Sequence, residues 1–179
     1  MKRNKNIFIF EGTSGIAGFF INKWKEIGKE AIQKRGVFLV ALSGGKTPKE
    51  LYLKLSRERS MPSWGATHIF QVDERFVSAN HPDNNLSMIR GSLLRNISIP
   101  RKNVHTIRFE KTAHRASEKY ANDIKEFFAL KEKGLPVFDL VALGIGDDGH
   151  TASIFSEEDI SKGENAVCIS TNPKNFNYR

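Results

Sequence analysis

Phe138-Asp139-Leu140-Val141-Ala142-Leu143-Gly144-Ile145-Gly146-Asp147-Asp148-Gly149-His150-Thr151-Ala152-Ser153 joins an apolar run to a glycine-rich turn. Residues 138–143 read as a buried strand. The glycines that follow let the backbone turn sharply and approach a ligand closely. Asp148 and His150 stand two residues apart within that turn. A base and a carboxylate at the carboxyl end of a buried strand lie where open α/β sheets hold their ligands. The pattern points to an active site. The plainer alternative is a loop histidine that caps Thr151 or Ser153.

A second strand end has a related pattern. Residues 37–42, Val-Phe-Leu-Val-Ala-Leu, read as another buried strand and lead into Ser43-Gly44-Gly45-Lys46-Thr47-Pro48-Lys49-Glu50. Thr47 is the expected N-cap of the next helix, with Pro48 at its first position and Glu50 completing a capping box. Gly44 and Gly45 expose backbone N–H groups just before that helix, which makes an anion site. Lys46, Thr47 and the Ser43 hydroxyl add donors, so residues Ser43, Gly44, Gly45, Lys46 and Thr47 read as a phosphate cradle.

Outward from these turns, strands and helices alternate. Strands are expected at 7–10, 37–42, 68–72, 104–107, 138–143 and 166–170. Helices are expected at 14–34, 48–57, 85–94 and 113–130. Ile16, Phe19, Phe20, Trp24, Ile27 and Ala31 fall at helical spacing in the first, and Ala116, Tyr120, Ile124, Phe127 and Phe128 in the last. Such alternation implies an open, mostly parallel, Rossmann-like α/β sheet with helices on both faces. No repeat, linker or low-complexity segment divides the chain, so residues 1–179 read as a single domain.

The composition excludes several classes. No apolar run approaches the roughly 18 residues of a membrane span. The basic start, Met1-Lys2-Arg3-Asn4-Lys5-Asn6, is followed by too short an apolar run for a signal peptide. The lone Cys168 allows no internal disulfide and reads as a small buried residue. A cytoplasmic location is expected from these absences. The net charge of +8 is spread along the chain, without the basic stripe or aromatic interleaving of a nucleic-acid binder. It suits an anionic metabolite.

Four motifs in order, Leu42-Ser43-Gly44-Gly45-Lys46-Thr47-Pro48, Asp73-Glu74-Arg75-Phe76-Val77, Asp83-Asn84-Asn85 and residues 144–155, resemble the 6-phosphogluconolactonase family. The resemblance covers nearly the whole chain. It implies a sugar-phosphate isomerase/lactonase type of fold and hydrolysis of 6-phospho-D-glucono-1,5-lactone to 6-phospho-D-gluconate, a step of the oxidative pentose phosphate pathway. It implies no cofactor and no metal, and a monomer or weak homo-oligomer is expected. His150 would be the general base on water, and Asp148 would orient its ring. Arg75 would bind phosphate or the sugar-acid oxygen. Asn85 would touch substrate or hold the site loop; its alternative role is a helix N-cap. The family usually has serine and an aromatic where Asn84 and Leu86 stand, and serine or threonine where Lys46 stands. Family members also continue for several more elements, including a lysine on the substrate phosphate. The chain is therefore expected to be C-terminally truncated relative to the family, and residues 171–179 are polar and turn-rich.

Other readings compete. Gly144-x-Gly146-x-x-Gly149 fits a dinucleotide fingerprint, but no acidic residue follows at the required distance of roughly 20 residues. Asp73, Glu74, Asp147, Asp148 and His150 could converge on a metal, though nothing in their spacing demands it. A glucosamine-6-phosphate isomerase-deaminase shares the core motif. That family's motif has a glutamate five residues beyond the histidine, where Phe155 stands here, and Asp-Glu-Tyr where this chain has Asp73-Glu74-Arg75. A non-catalytic sugar-phosphate-binding module is the remaining alternative.

Overall fold

The β-branched and aromatic runs between the helices build one small sheet. The computed structural model describes residues 6–131, 134–163 and 166–171; the basic start at 1–5 and the polar end at 172–179 lie outside these. The strands are β1 (Phe38–Leu42), β2 (Thr67–Gln71), β3 (Val104–His105) and β4 (Leu140–Ala142). All pairings are parallel, in the order β3-β2-β1-β4. Val40 faces Ile69 on one side and Leu140 on the other.

Helices cover both faces. α1 (Thr13–Arg35), α2 (Lys46–Leu55) and α3 (Asn85–Ser92) bury Ile21, Trp24, Tyr52, Leu55 and Ile89 against Phe38, Val40, Leu42 and Ile69. α4 (Ala113–Phe127) covers the opposite face, where Tyr120 and Ile124 meet Ala41 and Phe70. The period-2 alternation of β1 and β2 thus feeds two cores. A short α5 (Glu157–Gly163) follows β4.

Several expectations are corrected. Residues 7–10 form no strand: Ile7 and Ile9 are largely exposed, and Phe8 and Phe10 instead set their rings on Phe19 of α1. The buried line of α1 runs Ala17, Ile21, Trp24, Gly28, Ala31, which leaves Ile16 outside. Gly28 lies so close to Phe38 that a Cβ there would stand 2.9 Å from its ring. Residues 138–143 are an edge, not a buried strand. β4 pairs with β1 alone among the described residues, so Val141 and Leu143 stay about half exposed. Residues 166–170 form no strand either. Val167 and Cys168 rest on the Phe70–Tyr120 cluster, and the segment is held by side chains instead of a ladder.

Candidate active site

Three connections leave the carboxyl ends of β1, β2 and β4, and each carries part of the site. The first is the β1–α2 turn. The helix begins two residues earlier than the cap chemistry suggests, since Lys49 N–H reaches the Gly45 carbonyl at 3.2 Å. Gly45, with φ 120°, is therefore the N-cap, and no side chain caps the helix. Thr47 is the second helical residue and exposed, not the N-cap, and Pro48 is the third. Proline costs nothing there, because N–H groups of the first turn have no intrahelical acceptor. Those of Lys46 and Thr47 belong to that set. Ser43 is buried, and its hydroxyl has no partner among the described residues. The Ser43 carbonyl accepts the Tyr52 hydroxyl at 2.8 Å, and burial pushes that phenol above its ordinary pKa.

The second connection runs from β2 to α3 around a buried carboxylate. Glu74 accepts N–H bonds from Asn85 (2.7 Å), Leu86 (2.8 Å) and Arg75 (2.8 Å), and from the Gln71 amide (2.9 Å). Two of these donors open α3, where a carboxylate is favoured by the helix dipole. Burial still holds the Glu74 carboxyl above its ordinary pKa, with its hydrogen bonds pulling the other way. The N-cap of α3 is Asn84, whose side chain accepts Ser87 N–H at 2.7 Å. Asn85 is thereby released from capping. Its amide donates to the Asp73 carbonyl at 3.2 Å and to Asp73 Oδ1 at 3.3 Å. Arg75 donates through Nη1 to the Asp83 carbonyl, while its buried Nε has no partner among the described residues.

The third connection is the glycine-rich turn after β4. His150 Nδ1 is hydrogen-bonded to Asp148 Oδ1, and this bond holds the Asp148 carboxyl below the usual carboxylate range. Asp148 is exposed, and the His150 side chain is only 19% accessible. A Cβ on Gly146 would lie 2.3 Å from His150 Nδ1 and Cε1, so only glycine fits beside the ring. The Phe155 ring lies 4.5 Å from the imidazole. Thr151 and Ser153 bond elsewhere, Thr151 to the Gly144 carbonyl at 2.9 Å and Ser153 to Asp73 Oδ2 at 2.6 Å.

Asp73 therefore ties the three turns together. One of its oxygens takes Ser153 from the β4 turn and the other takes Asn85. Asn85 in turn fills the space beside Gly44, where a Cβ would stand 1.8 Å from its Oδ1. Asp73, Glu74, Ser153, Phe155 and Tyr52 were not legible as site-builders. Asp73 and Glu74 showed as motif residues and possible metal ligands, not as the groups that hold the turns, because Asn85 lies 11 residues from Glu74 and Ser153 lies 80 residues from Asp73. Among the described residues no group of three His, Cys, Asp or Glu side chains is arranged to hold a metal. Glu74 is spent on backbone donors, and Thr151 makes a bridge to Ile154 where a dinucleotide fold would start its helix. An apolar cleft of about 540 Å³ on the α4 face includes Asp73, Arg75 and Ser153 in its lining, but neither His150 nor the Ser43–Thr47 segment. Much of its remaining wall is apolar, including Ile107, Phe109, Phe138 and Val141, and the Asp148–His150 pair and the Ser43–Thr47 segment lie in the polar turns outside it.

The family model for glucosamine-6-phosphate isomerases/6-phosphogluconolactonase matches residues 14–179. The chain belongs to this family. Among similar sequences, a 6-phosphogluconolactonase of Synechocystis sp. is 43% identical over 127 residues, 70% of this chain and 52% of the relative. One from Nostoc sp. is 40% identical over 126 residues, with the same coverage. Among solved structures, the Trypanosoma brucei 6-phosphogluconolactonase superposes with a TM-score of 0.80 at 27% identity, covering 98% of this chain and 74% of that one. The Thermotoga maritima enzyme gives 0.71 at 31% identity, covering 84% and 64%. The chain spans about half the length of the curated relatives it matches. Among the described residues, no helix is long and apolar enough to cross a membrane.

Proposed function

We propose that this site hydrolyses 6-phospho-D-glucono-1,5-lactone to 6-phospho-D-gluconate. The observation that carries the reading is the Asp148–His150 hydrogen bond at the carboxyl end of β4. Accepting the Nδ1 proton, Asp148 places the basic lone pair of the neutral ring on Nε2. A water molecule loses its proton to Nε2 as its oxygen bonds to the lactone carbonyl carbon. The tetrahedral intermediate collapses, the ring C–O bond breaks, and the imidazolium returns the proton to the leaving oxygen. Asp148 stabilises the imidazolium meanwhile.

The phosphate of the substrate is assigned to the start of α2. There the first-turn N–H groups, the buried Ser43 hydroxyl and Lys46 offer donors to an anion. Arg75, whose buried Nε has no partner among the described residues, supplies a charged fork at the neighbouring strand end. The reading needs no metal and no cofactor, and its partner is a phosphorylated sugar lactone.

The relatives named above as 6-phosphogluconolactonases support this reading. The family description also admits isomerases, but Phe155 stands where the deaminase motif has a carboxylate. The discriminating experiment offers the lactone and an amino-sugar phosphate side by side. Lactone hydrolysis without ammonia release is expected. Ammonia release would favour the isomerase-deaminase reading. Binding of 6-phosphogluconate without turnover of either substrate would make the chain a binding module.

A further inference from the structure

We propose that Phe155 positions the His150 imidazole, and that the capping box opening α5 holds Phe155 in place through Asp159. The inference rests on reading His150 as the base. Asp148 grips the imidazole at one atom, Nδ1. That bond holds one edge of the ring and does not by itself fix its tilt. The Phe155 ring lies against the imidazole at a centroid separation of 4.5 Å and a tilt of 34°, within the range of favourable ring pairs. Gly146 closes on the same imidazole, with no room for a Cβ. A phenyl ring neither gives nor takes a proton, so it fixes the base without competing for the proton the base must carry.

Phe155 is itself anchored. Asp159 is buried, and its Oδ2 accepts Phe155 N–H at 3.0 Å and Ser156 N–H at 3.1 Å. The Ser156 hydroxyl in turn accepts Asp159 N–H at 3.3 Å. Ser156 and Asp159, three residues apart, thus form the reciprocal pair of a capping box. The other Asp159 oxygen takes the Thr171 hydroxyl at 2.6 Å, which fastens the pair to the segment after α5. The backbone at 155 is held from this side, and its ring projects onto His150.

The test is proton NMR of the whole chain, with the His150 ring signals assigned by their loss in His150→Gln. In the wild type these signals should lie upfield, under the face of Phe155, with Overhauser contacts to its ring protons. Phe155→Leu and Asp159→Ala should each move them downfield, and Phe155→Tyr should keep them in place. In steady-state hydrolysis Phe155→Leu should lower kcat roughly two- to tenfold with KM unchanged, the range expected for one ring pair. Phe155→Tyr should restore it. His150 signals at ordinary positions in the wild type, or signals unmoved by Phe155→Leu, would overturn the positioning role. So would a Phe155→Leu variant with raised KM and intact kcat. Signals unmoved by Asp159→Ala would remove the capping box from the account. A wild-type chain without lactone turnover would overturn the functional reading alone, because the NMR contacts are read without substrate.

Discussion

Gly44→Ala tests how the phosphate turn and α3 are fitted together. The new Cβ would stand 1.8 Å from Asn85 Oδ1 and 2.2 Å from its Cγ. The obstacle is space and not backbone conformation, since Gly44 is not among the positive-φ residues. Asn85 has nowhere to retreat. Its side chain is bonded to Asp73, its N–H is bonded to Glu74, and it is 3% exposed. Making room means giving up the two amide bonds, each worth about 0.5–1.5 kcal/mol, or forcing overpacking at about 1–3 kcal/mol. We expect a loss of about 1–3 kcal/mol in a urea unfolding titration, a large share of the roughly 5–15 kcal/mol that holds a domain together. The control is the double-mutant cycle with Asn85→Ala, which removes the obstructing side chain. In that background Gly44→Ala should cost less than about 1 kcal/mol, the difference being the coupling. An equal cost in both backgrounds would refute the steric argument, as would a neutral single variant.

Two further outcomes follow from named contacts. His68 Nδ1 and His105 Nε2 lie 3.0 Å apart, and the His105 ring stacks on Phe70 at 4.1 Å. Burial lowers the pKa of both, that of His105 to about 4, with the neighbouring His68 adding to the effect, Lys102 lowering His68 and Asp123 opposing at His105. A histidine whose folded pKa lies below its unfolded value takes up its proton more readily when unfolded. The contribution is therefore whole above about pH 6.5 and is lost as pH falls toward 4. Discounted for partial exposure, about 1–2 kcal/mol should disappear over that window in pH-dependent melts. His105→Phe, which keeps the stacking, should flatten that part of the curve, and an unchanged slope would count against it. Arg75→Ala should weaken 6-phosphogluconate binding by roughly 10- to 150-fold, the value of one charge-assisted hydrogen bond, by calorimetry. An unchanged affinity would take Arg75 out of the phosphate site.

The parts of the fold read from sequence are those where local pattern and tertiary setting agree. The runs at 37–42 and 68–72 are bounded by polar ends and become the two inner strands. The spacing of Tyr120 and Ile124 marks the face of α4 that meets Phe70. The failures come from choices that local pattern does not contain. Residues 7–10 are as apolar as a strand, but among the described residues they join no ladder and Phe8 and Phe10 pack on Phe19. The apolarity of 138–143 says nothing of whether a second neighbour lies beyond β4, and among the described residues it sits at the edge. Thr47, Pro48 and Glu50 all suit a helix start, yet Gly45 opens the helix earlier. The Asp148–His150 pairing was legible because the two are neighbours in sequence. The bonds of Glu74 to Asn85 and of Asp73 to Ser153 were not, because they span distances in sequence that only the fold closes. Asn85 was legible as a polar residue with two possible roles, and Asn84 takes the capping one.

The account stands on His150 as the base. Its most direct test is the rate of 6-phosphogluconolactone hydrolysis by the wild-type chain and by His150→Ala at equal concentration, with matching melts to show that both are folded. General-base catalysis is worth roughly a hundredfold or more, so the variant should be slower by at least about that factor. Equal rates in two folded proteins would contradict the account, and the chemistry would have to be sought away from the Asp148–His150 pair.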